Sequence, residues 1–515
     1  MPLSTSNEAD LVLLNGNIVT MSGENRPSEA IVVKNGVVQY LGNDKEALKY
    51  VGKGTLVYEL EGRTVLPGFC DCHVHLISYG RSLGQLDLRG AKSISEIKEL
   101  LKEFSSGNGS WIVGRGWHLS ELAEGRPPRR WDLDEVVPRN PVVLISRCGH
   151  VGSLNTLAIA ELELEKVFDN IGREHFEFDE NGRFTGIVRE RGLDYVLKKI
   201  PSPTLEEHVR AIKAAEAVAL RYGIVAVEEA GVGEEGLRAY KKLDENGALQ
   251  IKVNVLLDLE MLDKPSDLLR YRGKKVRVSG VKVFVDGSLG GRTAYLKEPY
   301  NDEPSTRGVA VLSQEELDRV VLRANKMGLR VCAHAIGDAA LEMILESFEK
   351  SASSIGLERF RSLRNRVEHC QVLDLGLVQK MAKLGVIASI QPYFACSDFP
   401  WAIERLGKKR ARLSYAWKTL VKSGLLVCAG SDAPVEDINP LKGIACALTR
   451  RNSKGEVWLP EERLSLEEAL KMYTKNAAYA MLRENELGTI EVGKPANFVV
   501  LSHDISLSLI HISEP

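Results

Sequence analysis

Net charge is nearly absent from this chain: 68 Lys and Arg against 70 Asp and Glu leave −2 over 515 residues. The two signs are evenly mixed, so there is no electrostatic footprint for nucleic acid or an anionic membrane. Long apolar runs are missing as well, and none approaches the roughly 20 residues that a bilayer-spanning helix needs. The opening MPLSTSNEADLVLLNGNIVTM lacks the basic stretch and apolar core of a secretory leader. These absences predict a cytoplasmic protein with a small-molecule partner. A disulfide pattern is also lacking. The eight cysteines are scattered, mostly in strand-like stretches such as RVCAHAIG and LLVCAGSD, and read as reduced, buried thiols. Cys70 and Cys72 flank Asp71, but strand alternation aims both away from it, which argues against a C-x-C metal clip.

Histidine is scarce too, at 10 residues, yet PGFCDCHVHL places His73 and His75 two apart. On an extended strand they share one face and converge on one spot beyond the strand end. Two neutral imidazoles there make half of a metal site. An H-x-H alone fits a surface pair near a turn equally well.

Length allows roughly two or three domains, or one large barrel with additions. DLVLLNGNIVTM, AIVVKNGVVQYLG and LVYELEGRTVLPG alternate β-branched runs with Asn-Gly and Gly turns, a hairpin signature. Residues 1–66 therefore read as a small antiparallel sheet. GTIEVGKPANFVVLSHD has the same character, so 481–506 should supply its second part. Between them, helical segments open with Ser or Thr three residues before Glu, the capping-box spacing, as in SISEIKELLKEF and SQEELDRVVLRANKMG. They alternate with candidate strands at 65–75, 142–146, 224–229, 276–286, 329–334, 365–369, 386–391 and 426–432. Eight such strands predict an α/β TIM-like barrel over 67–480, with an inserted lid-like segment at about 78–201, too long for a simple crossover.

A barrel active site collects at the C-terminal ends of its strands. His73, His75, His334, His369 and Asp432 all fall at such ends, and Lys282 lies within the fourth predicted strand. Singly, His334 or His369 fits a hydrogen-bonded strand-end histidine, and Asp432 an N-cap. Together they form the set that a divalent metal needs.

The segments PGFCDCHVHL, WIVGRGW, PVVLISRCGHVGSLNT, TGIVRE, GVKVFVDGSLGGRTAYL, HAIGDAA, RVEHCQ, SIQPYF and AGSDAPVEDINPLKGI occur in an order that resembles the amidohydrolase superfamily, in its amidohydrolase 3, YtcJ-like branch. The resemblance implies a distorted (β/α)8 barrel with a discontinuous β-sandwich from both termini, holding one or two divalent ions, usually zinc. By it, His73 and His75 bind one metal with Asp432 nearby, His334 and His369 bind the second, and Lys282 matches the lysine that relatives carboxylate to bridge both. Unmodified packing, or pairing with Asp286, is the other reading of Lys282. Asp432 and His334 are the catalytic candidates, with Asp432 passing the water proton to the departing amine. His150 and Asn155 are matched to substrate orientation or oxyanion stabilisation, Glu190 to a pocket carboxylate and Trp117 to pocket wall. Cys148 stands where the family commonly has an acid. One of Glu228 and Glu229 is expected to point inward.

The implied activity is hydrolysis of a non-peptide carbon–nitrogen bond in a small amide. A deaminase or cyclic-amide hydrolase would use the same site. A non-catalytic scaffold is the remaining reading, and the intact ligand set argues against it. A homodimer is compatible with all three. The last residues, LSLIHISEP from Leu507 to Pro515, fit nothing before them and read as adapter-encoded, so the tail is expected to pack poorly and the sandwich to lack its closing strand.

Overall fold

A computed structural model describes residues 8–23, 28–105, 111–147, 149–399, 401–503 and 505. The expectations for Cys148 and for the tail Leu507–Pro515 lie outside these residues. The chain divides into two compact units, Arg81–Glu207 and the remainder. No helix among the described residues is long and apolar enough to cross a membrane.

Eight parallel strands dominate the larger unit: β1 Phe69–Val74, β2 Ile224–Val232, β3 Lys252–Leu257, β4 Val276–Phe284, β5 Arg330–Ala335, β6 Arg366–His369, β7 Ile387–Ile390 and β8 Val427–Ala429. Each pairs with the next in the ring. Just past their ends β8 and β1 are tied by backbone bonds: Asp432 N–H donates to His73 O at 2.7 Å and His75 N–H to Ala433 O at 2.9 Å. Buried Asp71 adds a side-chain tie, accepting from the Ser431 hydroxyl at 2.6 Å and from the Ser431 and His73 amides at 3.0 and 3.1 Å. The expected capping boxes form at Ser313/Glu316 and Ser465/Glu468, fixing the starts of helices Gln314–Lys326 and Leu466–Tyr473.

Two strand assignments need correction. Val142–Ser146 is not a barrel strand; it lies in the smaller unit, parallel to Ile112–Trp117 and antiparallel to Val151–Leu154. The third barrel strand is instead Lys252–Leu257, between β2 and β4. VVLIS and KVNVLL are both short buried apolar runs, and such runs signal a strand without saying which sheet receives it. Lys282 keeps its place on the fourth strand.

The smaller unit is a folded body in its own right. Its six-stranded sheet carries apolar clusters of its own, one around Ile97, Leu101, Trp117 and Leu144, another around Ile145, Leu154, Phe168 and Phe184. The terminal β-structure comprises two sheets. Leu11–Leu14, Ala30–Lys34, Val37–Gly42 and Leu56–Glu59 form one, with Leu11–Leu14 and Leu56–Glu59 parallel rather than antiparallel. In the other, Phe498–Val500 pairs antiparallel with Thr64–Pro67, so both ends of the chain contribute. Leu13, Ile31, Val65 and Ile490 share a core.

The cysteine expectation also fails at one pair. Cys396, in helix Phe394–Ser397 after β7, is disulfide-bonded to Cys446, in helix Pro440–Thr449 after β8. Closure of the barrel brings these neighbouring helices together, and no local motif announces it. Cys70, Cys72, Cys332, Cys370 and Cys428 are free and buried. With the bonded cysteines separated by 50 positions in sequence, loop-closure entropy predicts stabilisation of roughly 4 kcal/mol. Urea unfolding should show the midpoint falling on addition of reductant and Cys446→Ser matching the reduced wild type. A midpoint indifferent to reductant would rule out a stabilising bond.

Candidate metal centre

The H-x-H spacing acts as strand geometry requires. His73 Nε2 and His75 Nε2 reach the same Asp432 Oδ1 at 3.3 and 3.2 Å, and one ligand atom from each of the three residues fits within 4.8 Å of the others. The opposite ring nitrogens are held from behind, His73 Nδ1 by Glu368 Oε2 at 2.6 Å and His75 Nδ1 by the Ala230 carbonyl at 2.9 Å. A carboxylate or carbonyl behind a histidine fixes the tautomer in which the forward nitrogen offers its lone pair, the usual support of a metal-binding imidazole.

Electrostatics fit a cation. Burial alone would raise the Asp432 carboxyl, yet the neighbouring His73 and His75 hold it well below the usual carboxylate range. Burial and Lys282 oppose a positive charge on His73, while Glu368 and Asp432 outweigh them and raise its pKa. The field therefore favours positive charge between His73 and Asp432, which a divalent ion would supply in place of a proton.

His334, near the end of β5, points Nε2 at the Gly287 carbonyl at 2.8 Å, and burial and Lys282 push its pKa down to about 3, so it is neutral. His369 ends β6 with φ of 77°, in the left-handed region. Burial and the neighbouring His334 hold it well below the ordinary histidine value, and its buried Nδ1 has no hydrogen-bond partner among the described residues. A buried nitrogen donor left unbonded has the character of an open ligand position. The His369 ring lies 4.3 Å from that of His334 and 5.0 Å from that of His73, centroid to centroid, with Phe394 parallel to it at 6.2 Å. Lys282 Nζ is 3.2 Å from His73 Nε2, and burial lowers its pKa. Pairing with Asp286 does not occur: that carboxylate accepts from the amides of Ile336, Gly337 and Tyr295 at 3.0, 2.8 and 2.9 Å.

Sequence reasoning expected one of Glu228 and Glu229 to point inward, and Glu228 does, but it missed the charged run that Glu228 joins beneath these candidate ligands. Glu228 on β2 is bonded by Arg330 and Arg366, Arg366 Nε reaches Glu368 Oε1 at 2.6 Å, and Glu368 holds His73. A run of alternating charge thus fills the barrel interior. The signal was the R-x-E of Arg366 and Glu368, charged residues two apart on a four-residue strand that is entirely buried. Glu229 plays a separate part. It accepts from the Leu76 and Ile77 amides at 2.7 and 3.2 Å and the Tyr240 hydroxyl at 2.8 Å, setting the turn after His75. Burial raises its pKa from 4.5 to about 7. A raised acid pKa means that stability is highest below 4.5 and is lost as pH climbs through 7. Glu229→Gln cannot titrate, so its stability relative to wild type should improve by roughly 3 kcal/mol between pH 4 and pH 8. A difference that stays flat across that range would refute the assignment.

The other candidates belong to the smaller unit. Asn155 is not a pocket group: it is buried, caps helix Thr156–Glu161 by accepting from the Ala158 amide, accepts also from Val142, and donates to the Val137 and Asn140 carbonyls at 3.1 and 2.8 Å. Its hydrogen-bonding capacity is spent on backbone. Trp117 is core rather than wall, 1% exposed, with Nε1 donating to the Leu144 carbonyl at 3.1 Å. His150 and Glu190 do meet, Nδ1 to Oε2 at 3.0 Å, with both side chains well exposed.

A parallel eight-stranded barrel with a His-His-Asp group at the C-terminal ends of its first and eighth strands defines the class of barrel metal-dependent hydrolases. Residues 56–507 match the Amidohydrolase family, and the chain belongs to it. It is 34% identical over 514 residues to the putative amidohydrolase YtcJ of Bacillus subtilis (strain 168), covering 97% of this chain and 96% of that one. To the N-substituted formamide deformylase of Arthrobacter pascens it is 26% identical over 516 residues, covering 96% and 94%. The solved structure of an uncharacterized metal-dependent hydrolase from Pyrococcus furiosus superposes with a TM-score of 0.83 at 35% identity, covering 96% of this chain and 99% of that one.

Proposed function

We propose that the protein hydrolyses a non-peptide carbon–nitrogen bond in a small amide. The observation that carries this reading is the convergence of His73 Nε2 and His75 Nε2 on Asp432, each imidazole anchored from behind. A divalent ion bound there, zinc in this reading, would supply a bound water of pKa ~7 and polarise the scissile carbonyl. His73, His75 and Asp432 would hold it. His334 and His369, both neutral, would hold a second ion. Asp432, anionic at neutral pH, takes the water proton on its carboxylate and returns it to the departing amine. Lys282 is the candidate bridge: its buried amine is depressed toward neutrality, the state that can take up carbon dioxide, and a carbamate would suit two cations where an ammonium would be repelled. Similarity to a formamide deformylase along nearly the whole chain favours an amide over a cyclic or aminopurine substrate.

The test is metal content by mass spectrometry beside a screen of N-substituted formamides and N-acyl amines. Two ions per chain in wild type, falling in Lys282→Ala, is the expected result. One ion, unchanged by that substitution, would remove Lys282 from the centre. Absence of both metal and hydrolysis would overturn the reading.

A further inference from the structure

Below the barrel, at the strand starts opposite the metal centre, a cavity of about 590 Å³ is lined by Arg270, Arg272, Arg277, Ser279 and Arg330, with apolar residues such as Leu329 between them. Arg277 is the second residue of β4 and Arg330 the first of β5, whereas His334 stands near the opposite end of the same β5. None of the lining residues is acidic. LRYRGKKVR, residues 269–277, supplies most of the charge.

These guanidinium groups are incompletely satisfied. Arg277 gives Nε to Asn254 Oδ1 at 3.1 Å and Nη2 to the Met481 and Leu482 carbonyls at 2.7 and 2.5 Å, and its Nη1 has no hydrogen bond among the described residues. Exposed Arg270 and Arg272 form no ion pair there either, and an Arg272–Arg277 backbone bridge keeps two of the arginines side by side. Arg330 is 1% exposed, and its buried Nε has no partner among the described residues. Glu484 pairs with Arg364 and Glu486 with Lys252, while Glu228 neutralises Arg330, so the charge left without an ion pair at the cavity, among the described residues, is that of Arg270, Arg272 and Arg277. Burial and the like charges of Arg483 and Arg330 bring Arg277 down to about 10.

Like charges around a concavity without acid repel one another until a counter-charge enters. Guanidinium forks match the tetrahedral oxygens of phosphate, with two parallel N–H donors per arginine. The volume exceeds what a bare phosphate fills and lies in the range of small-ligand sites. We propose that this basal cavity binds the phosphate group of a small phosphorylated molecule, at a site separate from the metal centre. The concave form of the site favours a small ligand over the flat, exposed track that a nucleic-acid strand would need.

Isothermal titration of the metal-loaded full chain with inorganic phosphate, at constant ionic strength, tests this. Arg270→Ser/Arg272→Ser alters only exposed side chains and should retain its melting temperature and metal content. Saturable phosphate binding that weakens at least about tenfold in the double variant is the expected result. Three outcomes would overturn it: no saturable binding up to about 10 mM, binding undiminished in the double variant, which would place the phosphate at the metal centre, or tighter binding of a single-stranded oligonucleotide that phosphate fails to displace.

Discussion

Asp432→Asn is expected to reduce amide hydrolysis by about 10²- to 10⁴-fold at saturating substrate. The substitution preserves volume while removing the charge that faces both His73 Nε2 and His75 Nε2. On the proposed mechanism two losses combine: a ligand oxygen, and the base that carries the water proton. Measuring kcat with and without excess metal separates them. Full rescue by metal would confine Asp432 to ligation, and a rate left near wild type would remove it from the mechanism altogether. The residue sits at φ of 60°, a left-handed conformation that non-glycine residues rarely adopt outside constrained sites, so the local backbone is already shaped for this one side chain.

Glu368→Gln should be nearly as damaging and by a different route. The glutamate is fully buried between Arg366 Nε and His73 Nδ1, at 2.6 Å from each. The burial cost is overcome by Arg366 and His73, which keep its pKa well below the carboxylate range. Removing that charge leaves the Arg366 cation undercompensated in the interior, a change that costs about 3–5 kcal/mol. It also loosens His73, and loss of the group behind a ligand typically weakens metal binding by about 10- to 100-fold. Urea unfolding and metal titration of the same variant should therefore both shift. A stable protein with weakened metal binding would assign Glu368 to orientation alone, and wild-type values in both would contradict either role.

The candidate ligands were legible as strand-end residues because that placement is written locally. An H-x-H after an apolar run, and single histidines closing RVCAH and RVEH, mark strand ends whatever the surrounding fold. What supports them was not legible, since Glu228, Arg330, Arg366 and Glu368 become partners only when β2, β5 and β6 curve around one axis. The same limit misplaced Val142–Ser146 and overlooked Lys252–Leu257, two apolar runs with one signature and different destinations. Asn155 and Trp117 show the converse error: their residue types suit a pocket, but neighbouring backbone groups had already claimed every bond they could make. Cys396 and Cys446 carry no pairing signal because their approach depends on the order of two helices around the barrel.

The charged interior also constrains how such a barrel can be inherited. Two guanidinium groups and two carboxylates, on β2, β5 and β6, sum to zero behind His73. Exchanging a whole buried ionic set for apolar residues of similar volume can be neutral, whereas dropping one member strands a charge. Descent can therefore keep the four residues or trade them in balanced pairs, and every single-step path between those states crosses a less stable protein. His73 is tied by that arithmetic to four residues that are not themselves candidate ligands.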